Sequence, residues 1–385
     1  MYLNINEQVK SLEISGIRKF FNLVSDQKDV LSLTIGQPDF YTPDHIKTAA
    51  IGAINNNFTT YTHNAGLLEL RSAISDYVYK RYNLSYQPES EIIVTVGASQ
   101  AIDITLRTIL NIGDEVILPG PVYPGYEPLI KLAGAKPVYA DTTESEFKLT
   151  SELLRQYITE KTKCVILPYP SNPTGVTLTA EELDAIATEL EDKNIFILAD
   201  EIYSELVFDQ QHISIGTFDK VRDKTIIING LSKSHSMTGW RIGYLLAPEW
   251  LTNHILKVHQ YNVSCASSIS QHAALEALSH GEEDPINMKK EYKKRRDYVF
   301  KRLTNMGVEV VKPDGAFYFF LKVETNLTSL ELALKMVRDV KLAMVPGDAF
   351  SVFGEGFLRL SYAYSMETLE LGMDRLESFL DELNN

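Results

Sequence analysis

Short runs of β-branched and apolar residues recur through the middle of the chain. Each is followed by small or turn-forming residues and then by a helical pattern. The runs are Ile92–Val96, Glu115–Leu118, Lys136–Ala140, Cys164–Leu167, Ile195–Ala199 and Thr225–Asn229. Runs of this kind, bounded by turn signals, read as strands. Strands alternating with helices predict an α/β chain on a mostly parallel sheet. Ile195–Ala199 is apolar throughout, so it is expected to be buried on both faces. Ala101–Leu110 and the stretch from Ala247 to about Tyr261 read as helices, and Thr179 with Glu182 forms a capping box that opens another, to about Glu191.

The two ends of the chain have a different pattern. Residues 1–30 read as a polar arm with some helix around Ser15–Phe20, and Leu31–Ile35 reads as a short strand. Pro43 opens a helix to about Asn55 with Thr42 as a possible cap, and Leu67–Arg81 reads as another helix. Glu291–Met306, rich in Lys and Arg, is expected to be a mostly solvated helix. Glu309–Val311, Ala316–Leu321 and Phe357–Leu360 look like strands of a smaller α+β unit, closed by an amphipathic helix over Glu367–Leu383. The expected organisation is an N-terminal arm with part of the small domain (1–44), a large domain (45–285) and a small C-terminal domain (286–385).

Composition narrows the class without naming a function. Hydrophobic residues make up 44% of the chain and charged residues 23%, as in ordinary globular proteins. A net charge of −14 argues against nucleic acid or an anionic membrane as the main partner. Cys164 and Cys265 are too few for a disulfide framework and read as core thiols. MYLNINEQVK has no apolar leader core and no apolar run is long enough to span a bilayer, so the cytoplasm is the expected location.

The chemistry concentrates where strands end. Thr225–Asn229 gives way to Gly230-Leu231-Ser232-Lys233, read as a turn that holds a lysine at a strand terminus. A lysine kept neutral there can attack carbonyls, and Arg241, a little further on, has the charge and fork for a phosphate. Gly97-Ala98-Ser99 leads from a strand into a helix, presenting free N–H groups and a hydroxyl to an anion. Tyr123 lies in a proline-rich loop suited to stacking on a flat ligand, and Asn172 is fixed between Pro170 and Pro173. Asp200 ends the apolar strand and needs a cation. Gly36 sits in a turn that lets backbone approach a ligand, and Arg359, between apolar neighbours, could fork onto a carboxylate. A Schiff-base lysine, an aspartate for a ring nitrogen and a phosphate cradle are together what pyridoxal 5′-phosphate demands.

The motifs IGQPD, GASQAI, PVYPGY, YPSNPTG, ADEIY, SKSHSMTGWRIG and FLRLS stand in this order from Gly36 to Arg359. In that set and order the chain resembles the class I aminotransferases of the fold-type I pyridoxal-phosphate enzymes. SGIRKF, YTHNAG and HQYNVSCASSISQ resemble the bacterial subgroup that acts on N-acetyl-L,L-diaminopimelate in lysine biosynthesis. The resemblance implies a large domain with a mostly parallel sheet, a smaller α+β domain and ping-pong transfer of an amino group to a 2-oxo acid. It implies Lys233 as the Schiff-base lysine, with Asp200 and Tyr203 as the other catalytic residues. Asp200 pairs with the ring nitrogen, Asn172 and Tyr203 bind the ring oxygen, and Tyr123 stacks. Ala98, Ser99, Ser232 and Arg241 bind phosphate. Tyr61 would reach the phosphate site of a neighbouring subunit, which implies a homodimer. Arg359, beside Gly36 and Asn172, takes the substrate α-carboxylate. No metal is expected. Gly230 departs from the pattern, since some relatives carry a phosphate-binding serine there. Arg18 is weighed as a second arginine for a side-chain carboxylate, against a preferred reading as a solvated helix position. The alternatives are a carbon–sulfur β-lyase on the same fold and a non-catalytic sensing domain. The acidic chain, with motifs beginning by Gly36, weighs against the latter.

Overall fold

The β-branched runs pair side by side into a seven-stranded sheet. Its order is Ile92–Thr95, Gly243–Leu246, Thr225–Gly230, Phe196–Asp200, Thr162–Leu167, Glu115–Gly120, Lys136–Asp141. Only Gly243–Leu246 runs against its neighbours; the other pairings are parallel. The computed structural model from which this is read describes residues 4–24, 27 and 29–384. The expected polar arm therefore lies partly outside the described residues; within them it forms short helices at Glu7–Lys10 and Gly16–Val24.

The sheet is buried on both faces. One apolar layer includes Ile117, Val165, Ile197 and Ile227, and the other Ile93, Val116, Ile166, Leu198 and Ile228, neighbours in sequence facing opposite ways. The Thr179–Glu182 capping box forms as expected, both reciprocal hydrogen bonds present, and its helix spans Ala180–Leu190. Cys164 is fully buried and burial pushes its thiol up to about 12, whereas Cys265 is only partly buried.

A separate four-stranded antiparallel sheet, ordered Val345–Pro346, Phe357–Ser361, Tyr318–Lys322, Glu309–Val310, carries a core of its own. That core draws Phe20, Val24 and Leu33 from near the start of the chain and Leu369, Met373, Leu376 and Phe379 from the last helix, Met366–Asn384. Leu31–Ser32 pairs in parallel with Leu342–Ala343. The strand expected over Leu31–Ile35 stops early because side chains take the backbone beyond it. Thr34 O accepts from Arg359 Nη2 at 2.6 Å, and Ile35 N donates to the Tyr364 hydroxyl at 3.1 Å.

Three local expectations are corrected. Thr42 caps nothing: the helix Asp44–Asn55 has Pro43 at its N-cap, and Thr42 Oγ1 donates to Ser236 O (2.7 Å) while accepting from Trp240 Nε1 (3.0 Å). Leu231–Ser234 is one turn of helix rather than a simple turn. The basic helix runs Glu283–Asn305 and is not mostly solvated, for it buries Met288, Tyr292, Arg295, Arg296, Val299 and Leu303. Arg295 pairs with Asp39 at 2.7 Å, and Arg296 with Asp209 and Asp297 at 2.7 Å each. Asp39 and Asp209 come from distant segments, so local composition could not reveal an inward cationic face.

Candidate active site

The carboxyl ends of the parallel strands converge, as open α/β sheets require of a ligand site. Phe196–Asp200 ends on Asp200, Thr225–Gly230 leads into Lys233, and Ile92–Thr95 leads into the helix Gly97–Ile109. The antiparallel sheet contributes Arg359. A cavity of about 770 Å³ lies between them. Gly36, Ala98, Ser99, Tyr123, Asn172, Asp200, Tyr203, Ser232, Lys233, Arg241 and Arg359 all line it. Tyr61 does not join them and is 86% exposed.

Lys233 Nζ donates to Gly36 O at 2.6 Å. Burial lowers its pKa to about 8, with help from the Arg359 and Arg241 charges and against the pull of Asp200. A useful fraction of its amine is therefore neutral near pH 8. Asp200 is the reverse case. It accepts from the Tyr126 hydroxyl at 2.6 Å and from Ile202 N at 3.3 Å, and burial raises it to about 6. No ion pair reaches it among the described residues.

Arg359 is 2% exposed. Nη1 donates to Asn172 Oδ1 at 2.9 Å and Nη2 to Thr34 O at 2.6 Å, while Nε is buried with no hydrogen-bond partner. Its guanidinium lies 4.5 Å from the Tyr318 ring centroid and 5.0 Å from that of Phe350. Among the described residues it meets no carboxylate. Arg241 adopts a left-handed backbone conformation, φ 51°, and donates to Thr238 O at 2.8 Å. Its guanidinium lies against Gly97, whose φ of +75° favours glycine and whose missing Cβ leaves the guanidinium its room. The arginine thus sits beside the N-terminus of a helix, a pairing made for an anion.

Gly230 explains the departure from the family pattern. A Cβ there would stand 2.9 Å from Gly243 Cα and 3.0 Å from Ile242 O, so a serine does not fit this backbone.

Tyr126, which the sequence offers with Tyr123 only as packing or a stacking ring, and Tyr318, which it does not single out, have roles that the fold reveals. Tyr126 holds Asp200, and Tyr318 meets the Tyr203 hydroxyl at 2.8 Å and the face of Arg359. Tyr126 carries a faint signal inside PVYPGY; Tyr318, in a run of apolar strand residues, carries none. Arg18 is exposed, as expected of a solvated position, yet it also lines the cavity.

These residues fit pyridoxal 5′-phosphate. A buried carboxylate without a cation suits its ring nitrogen, the cradle of Arg241, Ala98, Ser99 and Ser232 suits its phosphate, and the lowered lysine suits its aldehyde. No group of three or more His, Cys, Asp or Glu that could hold a metal occurs among the described residues, nor any helix long and apolar enough to cross a membrane.

Comparison with known proteins gives the same class. The model of the family described as aminotransferase class I and II matches residues 28–376. A Bacillus subtilis protein named a probable N-acetyl-LL-diaminopimelate aminotransferase is 60% identical over 98% of this chain and 95% of its own. An aspartate aminotransferase of Pyrococcus abyssi is 42% identical over 98% of each. The crystal structure of the aspartate aminotransferase from Rhizobium meliloti superposes with a TM-score of 0.95 at 31% identity, covering 99% of this chain and 100% of that one. These likenesses favour the aminotransferase over the β-lyase and the sensing domain.

Proposed function

The chain belongs to the aminotransferase class I and II family, and on that premise we propose that its amino donor is N-acetyl-L,L-diaminopimelate, of lysine biosynthesis, and its acceptor a 2-oxo acid such as 2-oxoglutarate. The 60% identity to the Bacillus subtilis relative, against 42% to an aspartate aminotransferase, supports this donor. The observation that carries the reading is structural: Arg359 is a buried cation without a carboxylate, facing the same cavity as a buried Asp200 without a cation. Unmatched charges of opposite sign in one cavity call for ligands that bring the missing partners.

In this reading Asp200, held in place by Tyr126, would pair with the cofactor's ring nitrogen, Asn172 and Tyr203 would hold its ring oxygen, and Tyr123 would cover its face. Ala98, Ser99, Ser232 and Arg241 hold its phosphate. Bound there, pyridoxal 5′-phosphate supplies an electron sink next to the donor's α-carbon. Arg359 and Asn172 orient the α-carboxylate. Lys233 Nζ, its pKa lowered to about 8 so that part of the amine is neutral, takes the α-proton and later returns one when the acceptor occupies the same place. The oxo product leaves before the acceptor enters, so a single carboxylate seat serves both half-reactions.

The reading includes a homodimer in the cytoplasm. Ile51, Ile54, Phe58 and Tyr61 are exposed and close in sequence, which supports a second copy covering that face. The reading keeps residues 45–285 as the cofactor-binding domain, with 286–385 and 1–44 forming the smaller one. The antiparallel sheet's core supports the division in the main, although it also takes in Tyr203, Leu206 and Phe208, while Phe320, Val345 and Phe350 pack into the larger core.

The test is a donor panel with 2-oxoglutarate, following glutamate by chromatography. N-acetyl-L,L-diaminopimelate is expected to outpace aspartate, alanine and the aromatic amino acids in kcat/KM. A clear preference for any of those would overturn the donor.

A further inference from the structure

The helix Gly16–Val24 has a face that the catalytic reading leaves unused. Phe20 and Val24, one turn apart, are buried in the core of the antiparallel sheet, and Gly16 lies so close to Ala349 that a Cβ would come within 2.8 Å of the Ala349 Cβ. The helix is therefore anchored along one stripe. The adjoining stripe, Ile17 and Phe21, again one turn apart, lines the cavity, and Arg18 lines it next to them. Arg18 is exposed and enters no hydrogen bond, ion pair or ring contact among the described residues. Most other arginines of the chain are spoken for: Arg295 and Arg296 by aspartates, Arg81 by Glu205, Arg222 by Glu91. A free guanidinium on the wall of a ligand cavity stands out against that background.

Besides Lys233 and the anion site at Arg241, the cavity has an anion seat at its buried end, Arg359, and a further cation, Arg18, at its open side, with the apolar side chains of Ile17 and Phe21 beside Arg18. We propose that Arg18 is a specificity-determining residue that binds the distal carboxylate of a long dicarboxylic amino donor, while Ile17 and Phe21 line the stretch that leads to it. This deepens the donor assignment above and rests on it. A guanidinium fork distinguishes a carboxylate from the neutral end of an otherwise similar chain.

The experiment uses the holoenzyme and a matched pair of donors. N-acetyl-L,L-diaminopimelate and Nε-acetyl-L-lysine share the α-amino acid end, the methylenes and the acetamide, and differ in the distal carboxylate. The ratio of their kcat/KM values is measured for the wild-type protein and for Arg18→Gln. A charge-assisted contact of about 1.5–3 kcal/mol corresponds to roughly 10- to 100-fold in that ratio. The variant is expected to lose at least tenfold of the ratio, chiefly through KM for the dicarboxylic donor. A ratio unchanged within twofold overturns the proposal. Calorimetry with pimelate and heptanoate, which needs no turnover, separates this result from failure of the donor assignment. If neither donor reacts, the assignment falls. Arg18 is then judged by whether the wild type favours pimelate and Arg18→Gln does not; equal affinities in the wild type, or a preference kept by the variant, overturn it too.

Discussion

Asp200 and Glu205 are buried carboxylates five residues apart, 6% and 4% exposed, and the chain treats them in opposite ways. Glu205 accepts from the Tyr77 hydroxyl at 2.7 Å and from Arg81 Nε at 3.1 Å, and further from Arg81 Nη2 and the Tyr82 hydroxyl. Burial pushes its pKa up, but the Arg81 hydrogen bond and charge outweigh it, with Tyr82 and Tyr77 assisting, and the net shift is downward. Asp200 has a tyrosine and a backbone N–H, no arginine, and ends near 6. The difference separates architecture from chemistry. Where the chain supplies every partner, a buried charge ties helix to loop. Where it withholds one, the same kind of group stores an unmet demand that a ligand can meet.

The contrast can be broken most severely at the lysine beside Asp200. Lys233→Ala is expected to lower single-turnover conversion of the donor by about a thousandfold or more, as removal of a proton-transferring group does. Rapid-quench assays check this, and a loss under tenfold would detach the open charges from catalysis. Next comes Glu205→Gln, which leaves the Arg81 charge without its carboxylate and turns one of the two acceptor oxygens into a donor amide. It should cost about 3 kcal/mol in urea unfolding, the scale for breaking a buried pair. Asp200→Asn in the cofactor-free protein should do the opposite. A carboxyl raised from 3.8 to about 6 binds more protons folded than unfolded across that window, so stability falls as pH rises through it. The asparagine variant escapes that loss. Above pH 6 it should be more stable than the wild type by about 1–3 kcal/mol, with the gap closing toward pH 4. If both substitutions destabilise alike, the distinction is wrong.

A smaller effect sharpens the picture at Lys233. Its amine, lowered to about 8, should make the rate of pyridoxal 5′-phosphate capture by the cofactor-free protein rise with pH to a midpoint near 8. Stopped-flow absorption reads this directly, and a rate still climbing above pH 10 would mean an ordinary solvated lysine. The smallest effect belongs to Gly230→Ser. Forcing a Cβ against Gly243 and Ile242 should cost about 1–3 kcal/mol of stability, measurable by thermal unfolding.

Much of this contrast was legible in the residues, and the part that was not has a common cause. Asp200, Lys233, Asn172 and Ser99 could be placed at strand ends because short β-branched runs and the small residues after them are local signals. The Thr179–Glu182 box was equally local. Tyr126 and Tyr318 were not legible, since their partners, Asp200 and Tyr203, lie far along the chain. Thr42 looked like a cap because its neighbourhood fits one, and Trp240 and Ser236 claimed it instead. The inward face of Glu283–Asn305 depends on Asp39 and Asp209, and no helical pattern announces distant acids. Local chemistry told which charges were present; only the fold told which had been answered.

The pairing of Leu31–Ser32 with Leu342–Ala343 has a consequence for the order in which this enzyme is made. On a ribosome the strands that carry Asp200, Lys233 and Arg241 emerge with their sheet neighbours and can close together at once. The carbonyls of Thr34 and Gly36, though synthesised first, have no strand to settle against until nearly the whole chain is out, and Arg359 arrives later still. A nascent chain can therefore complete the sheet that leads to Asp200 and Lys233 before Arg359 has reached the cavity.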